Sequence, residues 1–408
     1  MDRAIQVDLK PSFHISSAHS GEVLNRRESL RALGAFLAGS PLLAQQDPLR
    51  DHTRVPGLNE LLTAFDFEAV AYTKQPRAVY DYRAYGSDSE FTLRRNREAF
   101  EWVELIPKRV VAGPVSTACE VFGTKMAFPL IVSPTAAHGE LHPEGELATH
   151  KGALAAASTP MILSNNTSFP FDKVVAAAGS PMWVQLYPKQ QLEANRSYLE
   201  SAQAAGAKAV VVTIDQQVSY YERSLHDRNL NSSTRGSARG PGMRPTMGNP
   251  YRVADNRLWY EWKFFDEIRP FVKVPMIAKG VVTPEDAKLC LEHGVDGVYV
   301  SNHGGRSLDY GPSTLEVLPE IVDAVHGRVP VLFDSGIRRG SDILKALALG
   351  ASAVCIGRVP LWGLGSFGAA GVQRVLEILQ AELVQAMQYT GCTTLASVDR
   401  KMLLTNFP

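Results

Sequence analysis

The 408 residues would fill about two or three average domains, but (β/α)8 barrels run to ~250 residues or more as one unit, so a single large domain is permitted. Lys and Arg total 42 against 42 Asp and Glu, a formal net charge of +0 with no basic block, which argues against nucleic acid as the main partner. A hydrophobic content of 45% with 21% charged residues is that of an ordinary globular chain, and Cys119, Cys290, Cys355 and Cys392 form no CxxC pair, so neither a disulfide framework nor a metal site is implied.

Residues 1–50 differ from the rest. Arg26-Arg27 precedes a weakly apolar run over residues 30–44 and resembles a twin-arginine export signal, which would place the protein in the periplasm. An amphipathic helix or plain leader, with a cytoplasmic protein, is the alternative. The run is too short for a membrane span, which needs ~20 residues. From Leu58 to Arg97 the pattern is helical, with Tyr80-Asp81-Tyr82 at its centre and Gly86 as a stop. Apolar runs at 128–134, 160–163, 182–186, 209–214, 275–278, 297–300, 329–333 and 353–356 then alternate with amphipathic segments of helix length. Eight such repeats with mostly buried strands predict a closed parallel (β/α)8 barrel with an N-terminal helical segment, spanning 58–408. An open doubly wound sheet would alternate in a similar way. Residues 229–251, rich in Gly, Ser, Pro and Arg, read as a long loop over the barrel mouth.

The residues with chemistry fall at the C-terminal ends of these strands, where parallel barrels build their sites. Tyr187 ends the third strand, Thr213 and Asp215 the fourth, Lys279 the fifth, and Ser301 and His303 follow the sixth. Lys and Asp are costly to bury unpaired, so core packing alone does not explain the group. In Ser301-Asn302-His303-Gly304-Gly305-Arg306, an imidazole and a guanidinium three residues apart can act together on a small carboxylate. Arg306 would bind it and His303 would take a proton beside it. After the seventh and eighth strands, Asp334-Ser335-Gly336-Ile337-Arg338 and Gly357-Arg358 combine exposed backbone N–H groups with arginines, as a phosphate site requires. Gly363-Leu364-Gly365-Ser366-Phe367-Gly368 fits GxGxxG but opens no βαβ unit, and reads as a loop.

The segment from Ser301 to Pro319, with His303-Gly304-Gly305-Arg306-Ser307-Leu308-Asp309 at its head, resembles the active-site signature of the FMN-dependent 2-hydroxy-acid oxidases and dehydrogenases, the glycolate oxidase and lactate oxidase group. The resemblance extends, with gaps, from about Phe65 to Met402. It implies FMN as cofactor, an (S)-2-hydroxy acid as substrate, oxygen or a quinone or cytochrome as electron acceptor, and a homotetramer. It further implies His303 as the base, Asp215 as the carboxylate that orients it, Lys279 near flavin N1, and Arg306, Tyr82 and Tyr187 as substrate contacts. The flavin contacts map onto Pro134, Thr135, Ala136, Ser164, Gln185, Thr213, Lys279 and Ser301. The phosphate and ribityl contacts map onto Asp334, Gly336, Arg338, Gly357 and Arg358. Two departures stand out. Arg223 matches the family's second substrate arginine only with one inserted residue, and Asn166 stands where plant-type members have a bulky aromatic, so the pocket is polar or roomier. Ala136-Ala137-His138-Gly139 is more similar to the lactate-oxidising members and points to a short substrate. A flavin-dependent monooxygenase, a peptide-modifying flavoenzyme and a catalytically silent flavin-binding barrel are the rival readings.

Overall fold

A computed structural model describes residues 54–108, 113–179, 182–216 and 260–408. The twin-arginine leader, Arg223 and the insertion at 229–251 lie outside the described residues. Eight parallel strands close into one barrel: β1 (Leu130–Val132), β2 (Met161–Leu163), β3 (Met182–Leu186), β4 (Val210–Thr213), β5 (Met276–Val281), β6 (Gly297–Val300), β7 (Val331–Phe333) and β8 (Ala353–Ile356). They pair in chain order and β8 closes on β1, which rules out the open sheet. All eight coincide with the apolar runs because both strand faces are buried. Ile131, Ile162, Trp183, Val211, Ile277, Tyr299 and Leu332 fill the barrel, while the alternating residues pack outward against helices.

The helices are α1 (Ala64–Lys74), α2 (Arg77–Ala84), α3 (Phe91–Glu98), α4 (Gly145–Ala155), α5 (Phe171–Ala178), α6 (Leu192–Ala204), α7 (Lys263–Ile268), α8 (Pro284–Glu292), α9 (Thr314–Val325), α10 (Gly340–Ala348) and α11 (Arg358–Thr390). The N-terminal helical pattern is thus three helices, broken at Gln75-Pro76 and over residues 85–90. Two stitches hold them to the loop after β6. Ser87 N donates to Gly305 O at 2.9 Å, and the Asp309 carboxylate caps α3 through Ser89 N (2.8 Å) and Thr92 N (3.0 Å).

Two details differ from the sequence reading. The GxGxxG stretch is not a loop: it lies within α11, which departs from helical geometry only at Phe367 and Gly368. Its glycines serve packing, since a Cβ on Gly363 would meet the Gly371 carbonyl. The fifth strand, read as ending at Lys279 after an apolar run that stops at residue 278, runs on to Val281 with an irregular register beside β6. Gly280 makes this possible. It adopts φ +113°, and a Cβ there would lie 2.6 Å from Asp215 Cβ, so the bulge brings the β4 and β5 ends together.

Candidate active site

The loop after β6 turns through three consecutive left-handed residues, His303, Gly304 and Gly305 (φ +59°, +68°, +77°). Only His303 bears a side chain there, and its conformation is fixed by neighbours. His303 N donates to Ser301 Oγ at 3.1 Å, and Gly304 N to Ser335 Oγ at 3.1 Å. Behind the turn, Asn96 and Asn302 exchange two side-chain hydrogen bonds of 2.9 and 2.8 Å, which fastens the loop to α3. The imidazole that results lines a large cavity at the C-terminal mouth of the barrel.

Asp215, two residues past β4, lies 2.9 Å through Oδ1 from His303 Nδ1. The carboxylate accepts, so Nδ1 carries the proton and Nε2 is the nitrogen left available to a substrate. Burial alone would raise the Asp215 pKa, but the His303 imidazole and Lys279 ammonium outweigh it and hold the carboxyl below its usual range. For His303 burial dominates in the other direction. Helped by Lys279 and Arg306, it keeps the imidazole below its ordinary 6.5 despite Asp215. At neutral pH the pair is therefore a carboxylate beside a neutral imidazole, the state in which histidine is a base.

Lys279 is 3% exposed, donates to Ser301 Oγ at 3.0 Å, and stands 3.9 Å from both Asp215 Oδ2 and Asp334 Oδ2. Arg306 is anchored by Nη1 to the carbonyls of Tyr82 (2.5 Å) and Tyr85 (2.9 Å), with its guanidinium 5.0 Å from the Tyr82 ring centre. Tyr82 on α2, Tyr187 directly after β3, His303 and Arg306 all face the same cavity. Four side chains drawn from three separate segments thus meet at one cavity.

The cavity measures about 870 Å³, within the range of cofactor sites. Pro134, Thr135, Ala136, Ser164, Lys279, Asp334, Gly336, Arg338, Gly357 and Arg358 line it with the four residues above. Gln185, Thr213 and Ser301 are buried directly beside the wall residues Ser164 and Lys279, and Asp215 contacts His303 and Lys279. Arg358 is held by the carbonyls of Arg83 (2.7 Å) and Gly304 (2.9 Å), and Arg338 lies 4.6 Å over the Trp362 ring. Burial, then the charges of Arg306 and Arg338, push the Arg358 guanidinium down to about 9. A cation so poorly compensated is a site for an anion.

Sequence reasoning missed several wall residues. Arg83 is buried and pairs with Glu140 at 3.0 Å, also on the wall, yet beside Tyr82 it looks like any charge on a helix. His138, singled out with Ala136-Ala137, is fully buried rather than on the wall. It contacts Thr135 Oγ1 (2.7 Å) and Thr149 Oγ1 (2.9 Å), and burial lowers its pKa to about 4. Among the described residues no His, Cys, Asp and Glu cluster converges as a metal site would, and no helix is long and apolar enough to cross a membrane.

A family model described as FMN-dependent dehydrogenase matches residues 71–405. The chain is 34% identical over 355 residues to a peroxisomal (S)-2-hydroxyacid oxidase of Arabidopsis thaliana, covering 85% of this chain and 98% of that protein. It is 36% identical over 363 residues to a glycolate oxidase of Oryza sativa subsp. indica, covering 85% and 97%. Among solved structures, a mandelate oxidase superposes with TM-score 0.75 at 33% identity, covering 85% of this chain and 99% of that one. A lactate oxidase of Pediococcus acidilactici superposes with TM-score 0.76 at 36% identity, covering 85% and 95%.

Proposed function

Because the chain belongs to the FMN-dependent dehydrogenase family, and is an FMN-dependent oxidoreductase acting on the CH–OH group of 2-hydroxy acids, we propose that His303 is its base, oriented by Asp215, and that Arg306, Tyr82 and Tyr187 hold the substrate. The residues present fit FMN. Arg338 and Arg358 supply buried positive charge for a phosphate, and Gly336 and Gly357 line the cavity beside them. Gln185 Nε2 and Thr213 Oγ1, next to Ser164 and Lys279 of the wall, are buried polar atoms with no hydrogen-bond partner among the described residues. This is what is left where a ligand's hydrogen-bonding edge completes the pairing.

FMN when bound supplies the acceptor for the two electrons of the substrate carbon. The protein's part is to bind, orient and move a proton. Arg306 presents its guanidinium to the substrate carboxylate, and its carbonyl anchors fix that cation in place. Tyr82 and Tyr187 add hydroxyl contacts from opposite segments of the wall. His303 Nε2 takes the proton, and the Asp215 carboxylate stabilises the imidazolium through Nδ1–H. Lys279 lends a fixed positive charge to the cofactor, and Arg223 would add a second cation to the substrate carboxylate.

The observation that carries this reading is the His303–Asp215 contact, with a neutral imidazole facing the same cavity as Arg306. A cavity built only to bind a mononucleotide would need the arginines at 338 and 358 but not this pair. Polar groups of Asn166, Thr167, Arg83 and Glu140 on the wall support a short 2-hydroxy acid, one whose side chain can accept or donate a hydrogen bond. The kinship with oxidases supports oxygen as electron acceptor over a quinone or cytochrome. Anaerobic mixing of the purified protein with a panel of 2-hydroxy acids, watching the flavin absorbance bleach, tests substrate and reaction together. Absence of bleaching by every (S)-2-hydroxy acid would refute the reading. A homotetramer and twin-arginine export complete the proposal. Arg26 and Arg27, both replaced by lysine, should trap the protein in the cytoplasm, and unchanged partition would refute export.

A further inference from the structure

The floor of the cavity holds a hydrogen-bond chain that substrate binding does not use. Tyr299 points into the barrel from β6, is fully buried, and donates its phenolic proton to Asp334 Oδ2 at 2.8 Å. The phenol has one proton and gives it to the carboxylate, so Ser133 must be the donor in the 3.0 Å contact between Ser133 Oγ and the phenolic oxygen. The other Asp334 oxygen accepts from Ser335 Oγ at 2.8 Å. Burial, reinforced by Asp334, keeps the phenol protonated at any ordinary pH, so its donor role is fixed.

The hydroxyl is not needed for packing. Tyr299 shares the barrel interior with Val211, Ile277 and Leu332, all apolar, and a phenyl ring would fill the same space. Its effect falls on Lys279. The ammonium stands 3.9 Å from Asp334 Oδ2 and 3.9 Å from Asp215 Oδ2, too far to hydrogen-bond either. His303 engages Asp215 through Oδ1, whereas Tyr299 engages Oδ2 of Asp334, the oxygen that faces Lys279.

We propose that Tyr299 is a positioning residue that ties Asp334 to the barrel floor and so leaves the Lys279 charge available to the bound cofactor. The inference rests on the reading of Lys279 as the cation beside the flavin. Without the phenol, Asp334 Oδ2 is a buried carboxylate oxygen that has lost its donor, with the Lys279 ammonium 3.9 Å away. Closing that gap makes a contact ion pair, and the positive charge that favours a reduced, anionic cofactor is largely neutralised. Ser133, which lines the cavity, strengthens the hold by donating to the phenolic oxygen.

The test is the midpoint potential of the purified holoprotein, measured anaerobically against reference dyes in Tyr299→Phe, Ser133→Ala and Lys279→Met. Tyr299→Phe should keep its FMN, yet its reduction equilibrium should weaken about tenfold, which is about 30 mV for a two-electron couple. Ser133→Ala should shift the same way by less, and Lys279→Met by more. A Tyr299 that only packs would change FMN content or melting temperature without moving the potential. If Lys279→Met lowers the potential and Tyr299→Phe does not, this inference is overturned while the reading of Lys279 stands. An unchanged potential in Lys279→Met overturns both. Should Tyr299→Phe fail to fold, Ser133→Ala decides, and an unchanged potential there overturns the proposal.

Discussion

Replacing Asp215 by Asn isolates the electrostatic support that His303 receives. Asn keeps an oxygen to accept Nδ1–H at the position now 2.9 Å away, so the imidazole holds its place and its tautomer while the carboxylate charge is lost. Two unit charges about 4 Å apart interact by about 4 kcal/mol at an effective dielectric near 20. Lys279, 3.9 Å from the other oxygen, already offsets part of that charge. Taking half leaves roughly 2 kcal/mol of support for the imidazolium, close to a thirtyfold effect on rate. Because Asp215 raises the His303 pKa against burial, its loss lowers that pKa further, and the acid limb of the rate should move to lower pH. Stopped-flow reduction of the flavin by saturating substrate across pH gives both quantities. A rate within about threefold of the parent, with no movement of the acid limb, would refute the claim that Asp215 stabilises a protonated His303.

Two further outcomes follow from buried charge. Arg358→Leu removes a cation from the anion site, and the purified protein should lose most of its FMN while the barrel still folds, read by flavin-to-protein absorbance and circular dichroism. His138 has its folded pKa lowered to about 4, so between pH ~6.5 and ~4 the unfolded chain takes up a proton that the folded one refuses. Stability should therefore fall with acidification across that window, by about 3 kcal/mol at most, and His138→Asn should flatten the dependence in denaturant titrations.

The strands were legible because all eight are buried on both faces, which leaves uninterrupted apolar runs such as Val210-Val211-Val212. Where a strand carries chemistry the signal fails. Lys279-Gly280 breaks the apolar run, so the bulge that sets Asp215 beside Lys279 was invisible until the chain was folded. Glycine misled at Gly363, where it marks close packing against Gly371 within a helix rather than a turn. His303, Arg306 and Arg358 were found because each sits just past a strand end, where a barrel builds its site. Arg83 and Glu140, from a helix and a short helical turn, carry no such positional mark. Nor does Gly297-Val298-Tyr299-Val300 reveal that its phenol reaches a carboxylate 35 residues on.

With His303 as the base, its imidazole takes the substrate proton. His303→Gln, mixed anaerobically with saturating 2-hydroxy acid, should retain FMN and bind substrate yet reduce its flavin at least ~10²-fold more slowly, the usual scale of lost general-base catalysis. Reduction at the parent rate would make the imidazole structural and contradict the account.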